Sequence, residues 1–246
     1  MTDSWGELYD RAREHDVSPA AIGESLERRR AEAGEAERDD TAGDPDADGQ
    51  SAASPDGPSA ASDDGQSTAS ADGPSADDGA DPPRADAGVD DGPPNPARIV
   101  ADADVLAADL LAGGAAREAL DHVRRHDWVE LAASDPLLED AEALVAERAD
   151  AGLAAAHRAR LEGERIRVDH PAGDHPALAS AYRSGAAHVL SFDEGLTSTT
   201  ANLSLRPRVD VSVRSPDAFA RLFDPERLYP SVADGEYPGP DRDPRA

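Results

Sequence analysis

Four aspartates fall where a parallel sheet would bring them together. Asp102 ends the apolar run 99–101 in RIVADADVLAADLL, and Asp193 lies just past the run 188–191 in HVLSFDEGL. Asp174 follows the run 166–168 after a short loop and precedes a helical stretch. Asp140 falls on the helical stretch after a second strand, in SDPLLEDAEALV. In open α/β sheets, ligands bind beyond the carboxyl ends of the strands. Three carboxylates would thus come from one edge and a fourth from a helix leaning over it. Grouped carboxylates repel and need a cation to stay ionised together. Oxygen-only donors favour hard ions, Mg2+ or Mn2+. Two such ions can hold a phosphodiester, activate a water and stabilise the leaving oxygen.

The elements that must position these acids are legible in the apolar pattern of residues 98–223. Short strands are expected at 99–101, 129–133, 166–168, 188–191 and 209–213. Helices are expected at 105–111 and 117–125 with Gly113-Gly114 between them, at 137–149 and 153–161 with a break at Gly152, at Pro176–Ser184 and at Pro216–Leu222. Strands alternating with helices predict an α/β domain around a parallel sheet.

The same ordered pieces resemble a known family, the PIN-domain nucleases. They are DADVLAADLL from Asp102, SDPLLEDA from Ser134, DHPALASA from Asp174, GAAHVLSFDEGL from Gly185 and the closing VDVSVRSPDAFARLF. The resemblance implies a three-layer α/β/α fold with a central parallel sheet. It also implies four catalytic, metal-binding acids at Asp102, Asp140, Asp174 and Asp193, with Mg2+ or Mn2+ as cofactor. Family members cleave RNA, or sometimes DNA flaps, leaving a 5′-phosphate, so RNA is the expected substrate. Ser191 matches the family's small hydroxyl residue two before the fourth acid. Two departures stand out. The second acid is usually Glu and here is Asp140, with Glu139 adjacent. Asp104 stands where a small polar residue is common. A catalytically inactive PIN-like module that binds RNA or protein is the alternative.

Duller roles compete at several positions. Asp104 reads first as a helix N-cap, and Asp174 also precedes a helix at a capping position. Zinc finds no ligand set: His170 and His175 are five apart with no third His or Cys at ligand spacing, so these and His188 read as solvated or packed. Neither a G-x-S-x-G turn nor a phosphate-cradling glycine loop with Lys occurs. Arg158, Arg160, Arg165, Arg167, Arg206 and Arg208 could contact phosphate, but ion pairs with neighbouring acids serve as well.

The rest of the chain is organised around this domain. Trp5, Leu8, Tyr9 and Ala12 fall on one helix face, and Ser18-Pro19 opens a second helix with a thin stripe of Ile22 and Leu26 ahead of Arg28, Arg29 and Arg30. Residues 1–38 therefore read as a small helical hairpin, with Trp5 and Tyr9 packing inside it and a protein partner as its candidate target. Residues 39–97 carry fifteen Asp against one Arg, no Leu, Ile or aromatic residue, and an eight-residue near-repeat from Gly49. That composition predicts a disordered, self-repelling linker. Residues 224–246, with five prolines, read as an extended tail.

Net charge is -28 over 246 residues, and all 24 basic residues are arginine. This suits a halophilic cytoplasm, where molar salt shortens the Debye length to about 3 Å and dense like charge costs little. Acidity therefore says little against a nucleic-acid partner. No cysteine is present, which excludes disulfides and thiolate sites. With no signal-peptide pattern and no apolar run near the ~20 residues a membrane helix needs, a soluble, cytoplasmic protein without membrane association is expected. A homodimer stays open.

Overall fold

The computed structural model of the protein describes residues 2–41, 93–171, 173–197 and 211–246, without the side chains of 34 and 36–41. The expected linker and the start of the expected last strand lie largely outside the described residues. Chain contacts define two compact units, Met1–Glu32 with Arg84–Ala246, and Ala33–Pro83. The second unit is described only at 33–41, the end of one helix. The sheet and its helices belong to the first.

Five strands form one parallel sheet: β1 (Asn95–Ala101), β2 (Glu130–Ser134), β3 (Arg165–Val168), β4 (Ala186–Leu190) and β5 (Ser212–Arg214), in the order β3-β2-β1-β4-β5. The chain thus builds outward from β1 to β3, then returns to the other side of β1. The topological switch falls between β1 and β4, where such sheets open a crevice. Pro96 cannot donate to the ladder, and the β1–β4 register shifts between Asn95 and Ile99. Beyond that shift, Ile99, Val100 and Ala101 pair with His188, Val189 and Leu190, so both strands end level.

The helices between and after the strands are α3 (Ala103–Leu111), α4 (Gly114–Arg124), α5 (Asp135–Arg148), α6 (Ala151–Glu164), α7 (Pro176–Ser184), α8 (Glu194–Thr197) and α9 (Pro216–Leu222). With the sheet they make the three-layer α/β/α arrangement that the sequence predicts. Their starts follow local chemistry. Ser134 and Ser215 accept the backbone N–H groups of Leu137 and Ala218 before α5 and α9, each with proline in the first turn. The break between α5 and α6 differs from the expected one. Asp150 caps α6 through Leu153 N–H, and Gly152 lies inside the helix. Gly185 ends α7 at φ 65°, the left-handed conformation a glycine C-cap supplies.

The N-terminal segment forms α1 (Trp5–Ala12) and α2 (Pro19–Thr41). A capping box between Ser4 and Glu7 starts α1. The expectation that Trp5 and Tyr9 pack within the hairpin is corrected. Trp5, Leu8, Tyr9, Ala12, Ile22 and Leu26 are buried in the same core as the sheet, with α1 against α3 and α6. Fully burying each large apolar side chain contributes about 1.5–3 kcal/mol, which two short helices could not gain alone. α3 is consequently buried along its whole length.

Residues 224–246 also differ from an extended tail. They form α10 (Pro225–Leu228) and a 3-10 turn, Tyr229–Ser231, and then return to the domain. Tyr229 packs edge-on to Trp128 at 5.3 Å, Tyr237 Oη lies 2.7 Å from His126 Nε2, and Arg245 holds both oxygens of Asp121 at 3.0 Å. Among the described residues no helix is long and apolar enough to cross a membrane.

Candidate functional site

Asp102 is the last residue before α3 and is fully buried. Its Oδ1 accepts the N–H of Ala103 at 2.8 Å, making Asp102, and not Asp104, the N-cap. Its Oδ2 accepts the Ser191 hydroxyl at 3.2 Å. Ser191 Oγ in turn accepts the backbone N–H of Asp193 at 3.1 Å. One hydroxyl therefore ties the end of β1 to the turn after β4, the two strands that flank the switch.

Asp104 turns into the same crevice from the first turn of α3. It is 2% exposed, its Oδ2 accepts the Phe192 N–H at 3.2 Å, and its Oδ1 is buried without a hydrogen-bond partner. Burial first, and then the charge of Asp102, push its pKa up to about 8. An orphaned carboxylate oxygen beside a second buried carboxylate is a costly arrangement, and a cation would relieve it.

Asp140 approaches from α5, half-buried, while neighbouring Glu139 is exposed. Of the two, Asp140 is the one that lies near Arg30. Burial raises its pKa, and Arg30 and Arg29 work against that rise. Asp193 is half-buried at the start of α8. Its Oδ1 accepts the N–H of Gly195 at 2.7 Å, and a Cβ at position 195 would sit only 2.9 Å from that oxygen. Glycine there permits the close approach that fixes Asp193.

Asp174 does not join the group. It is exposed in the turn before α7, and the capping position belongs to His175. The imidazole of His175, largely buried, reaches the crevice in its place. Burial lowers its pKa, the charges of Asp102 and Asp193 raise it, and that of Arg30 lowers it. His175 is packed, one of the two roles expected of it, and its partner there is Arg30.

The centre of the group is held by Arg30, from α2. Its Nη2 donates to Asp102 Oδ1 at 2.7 Å and its Nη1 to Asp102 Oδ2 at 3.4 Å. Nη1 lies 3.0 Å from His175 Nε2, and Nε lies 4.0 Å from Asp140. Burial is the largest influence and would lower the Arg30 pKa, but the charge and hydrogen bonds of Asp102, with the charges of Asp140 and Asp104, together outweigh it and the net shift is upward. Among the described residues no three His, Asp or Glu side chains converge in a metal-holding arrangement as the structure stands.

Arg30 was missed at the sequence level although a signal existed. Ile22, Leu26 and Arg30 are four apart and share one helix face, so the residue continuing the buried stripe had to meet the domain. For His175 no comparable signal exists, because the loop geometry alone decides between it and Asp174.

The arginines considered for phosphate contact are committed elsewhere. Arg158 pairs with Glu142, Arg160 with Glu164, and Arg165 and Arg167 with Asp135. Arg206 and Arg208 lie outside the described residues. A cavity of about 610 Å3 near the amino ends of β2 and β3, lined by Trp5, Arg98, Arg124 and Arg160, is far from the acids. Its Arg98, Arg124 and Arg160 already hold Glu130, Asp109 and Glu164.

Fold and crevice together define a three-layer α/β protein with an acidic cleft at the carboxyl ends of its two central strands. Over residues 93–245 the chain matches DUF7384, a family of unknown function, and it belongs to that family. No curated protein and no solved structure matches it.

Proposed function

We propose that the chain is a metal-dependent nuclease of the PIN-like type, acting on RNA, with Mg2+ or Mn2+ at the acidic crevice. One observation carries the reading. Asp102, Asp104 and Asp140 gather around a positive group at the topological switch, and one buried oxygen of Asp104 is left without a partner. The donor types suit a hard cation: with Arg30 withdrawn, carboxylate oxygens of Asp102, Asp104, Asp140 and Asp193, with His175 beside them, would have to close on it. Bound there, such an ion supplies Lewis acidity toward a phosphodiester and lowers the pKa of a water.

The chain's own contribution is positioning. Ala103 N–H and Ser191 fix the two oxygens of Asp102, Phe192 N–H fixes Asp104, and the turn at Gly195 fixes Asp193. Apart from the Ser191 hydroxyl these ties come from backbone at strand and helix ends, so the carboxylates are held in place before any ligand binds.

A second reading has its own support. Arg30 already pairs with Asp102, so the crevice carries a cation without any ion from outside. On that reading the protein is an inactive PIN-like module that binds RNA or protein. Labelled RNA in molar KCl with Mn2+, Mg2+ or EDTA, beside Asp102→Asn and Asp193→Asn, separates the two. The nuclease reading expects metal-dependent cleavage lost in both variants. Cleavage equal in all three proteins, or none with any metal, sinks it.

A further inference from the structure

The contacts of Arg30 are those of a cation in a metal site, supplied by the chain itself. Arginine has only donors, so His175 Nε2 accepts from Nη1 across 3.0 Å, and its lone pair points at the positive group. The same lone pair and the same Asp102 oxygens are what a divalent cation would take. We propose that Arg30 is a tethered competitor for the cation position: guanidinium and divalent ion hold Asp102, Asp140 and His175 in alternation. The inference rests on the reading of the crevice as a metal site, and it makes His175, in place of Asp174, the loop's donor.

The tether favours exchange of the side chain over departure of the helix. Ile22 and Leu26 are buried, Ser25 and Arg28 donate to Glu147, and Arg148 holds the carbonyl of Ala21. These fastenings lie before Arg30. Glu27 and Arg28 are exposed, as are the described side chains after Arg30, from Ala31 to Ala33. Arg30 is the last side chain on this stretch to meet the domain, and it is a long one, 26% exposed. It can swing out by rotamer change while the helix stays seated.

Charge favours the ion. One guanidinium meets both Asp102 and Asp140, and it leaves the buried Asp104 Oδ1 without a hydrogen-bond partner. A doubly charged ion matches this excess better than a single positive charge. An imidazole nitrogen among the donors also biases the site toward Mn2+ over Mg2+.

Mn2+ alone, titrated into the full chain in molar KCl by calorimetry, tests the competition. Arg30→Ala should bind Mn2+ at least about tenfold tighter than the wild type. Arg30→Gln, which is shorter but keeps a hydrogen-bonding amide without charge, should fall on the same side and replaces Arg30→Ala if that variant does not fold. Pulsed paramagnetic resonance of bound Mn2+ should show nitrogen coupling, lost on adding His175→Ala. Unchanged or weaker Mn2+ binding in the folded variants overturns the competition, and absence of nitrogen coupling overturns the role of His175. Tighter binding without RNA cleavage keeps the competition and removes the nuclease reading. Cleavage with no change in affinity does the reverse.

Discussion

Asp109 and Asp102 lie near the two ends of α3, both fully buried and each met by an arginine at the seam with the N-terminal helices. Their surroundings differ in stoichiometry. Arg124 takes both oxygens of Asp109, at 2.6 and 3.1 Å, and the Tyr9 hydroxyl adds a bond at 3.2 Å. The same guanidinium lies 3.6 Å over the Trp5 ring, while Arg117 lies 3.7 Å over Tyr9. Acid and base are matched there, and the aromatic faces cover them. Around Asp102, Arg30 donates to the buried carboxylate, its Nε lies 4.0 Å from Asp140, and one buried oxygen of Asp104 is left without a hydrogen-bond partner. The first cluster is a joint that closes on itself. The second leaves a buried carboxylate oxygen unpartnered, and on that difference rests the proposal that it is a ligand site and not a structural ion pair.

Replacing Arg124 by Ala should have the largest effect on stability. It leaves Asp109 buried with its main partner gone, a loss of about 3–5 kcal/mol, measurable by denaturant unfolding in molar KCl. Mn2+ should not restore it. Arg30→Ala should cost less, roughly 2–3 kcal/mol in the absence of metal, because its site is open at the edge. Here Mn2+ should recover the loss, since binding to the folded state alone stabilises it. Equal rescue of both variants, or of neither, would erase the distinction between joint and site.

Much of this was legible in the chain. The strand end at Ala101 follows from a short apolar run and that at Leu190 falls one residue before the expected Ser191, and the acids just beyond them follow from where parallel sheets open. The bounds of α7 and α9 are fixed by proline at the start and, for α7, by Gly185 at the end, and they agree residue for residue with the expectation. The seam was not legible. Periodicity shows that Trp5 and Tyr9 share a face, but not what covers it, because burial against α3 and α6 is a long-range event. The choice between Asp174 and His175 turns on the loop before α7. There the backbone sends one side chain to solvent and the next inward, and side-chain type does not reveal that.

His157 tests how tightly the joint is closed. Its ring is fully buried edge-on to Trp5 at 5.8 Å, and neither ring nitrogen has a hydrogen-bond partner among the described residues. Burial holds its pKa down to about 4, from 6.5. A group depressed in this way binds fewer protons folded than unfolded. The stability it protects is complete above about pH 6.5 and is lost as pH falls toward 4. Relative to His157→Leu, the wild type should therefore lose about 2 kcal/mol between pH 7 and pH 5. Parallel pH profiles for the two proteins would mean that water reaches the ring and that the seam is looser than its packing implies.

The smallest effect should come from Tyr9→Phe. The ring keeps its stack on Trp5 at 5.7 Å and its contact with Arg117. What leaves is a hydroxyl that donates to Asp109 and accepts from Arg124 Nη1 at 2.6 Å. Burial and the Asp109 charge hold the phenol pKa far up, so the group is a neutral donor at any working pH. Asp109 and Arg124 still have each other after the change, so the loss should be about 1 kcal/mol in denaturant unfolding. Mn2+ affinity should not move, because Tyr9 touches none of the crevice groups. A Tyr9→Phe chain whose Mn2+ affinity rises as far as that of Arg30→Ala would show that the two clusters are one network through α3, and the comparison would fail at its smallest perturbation.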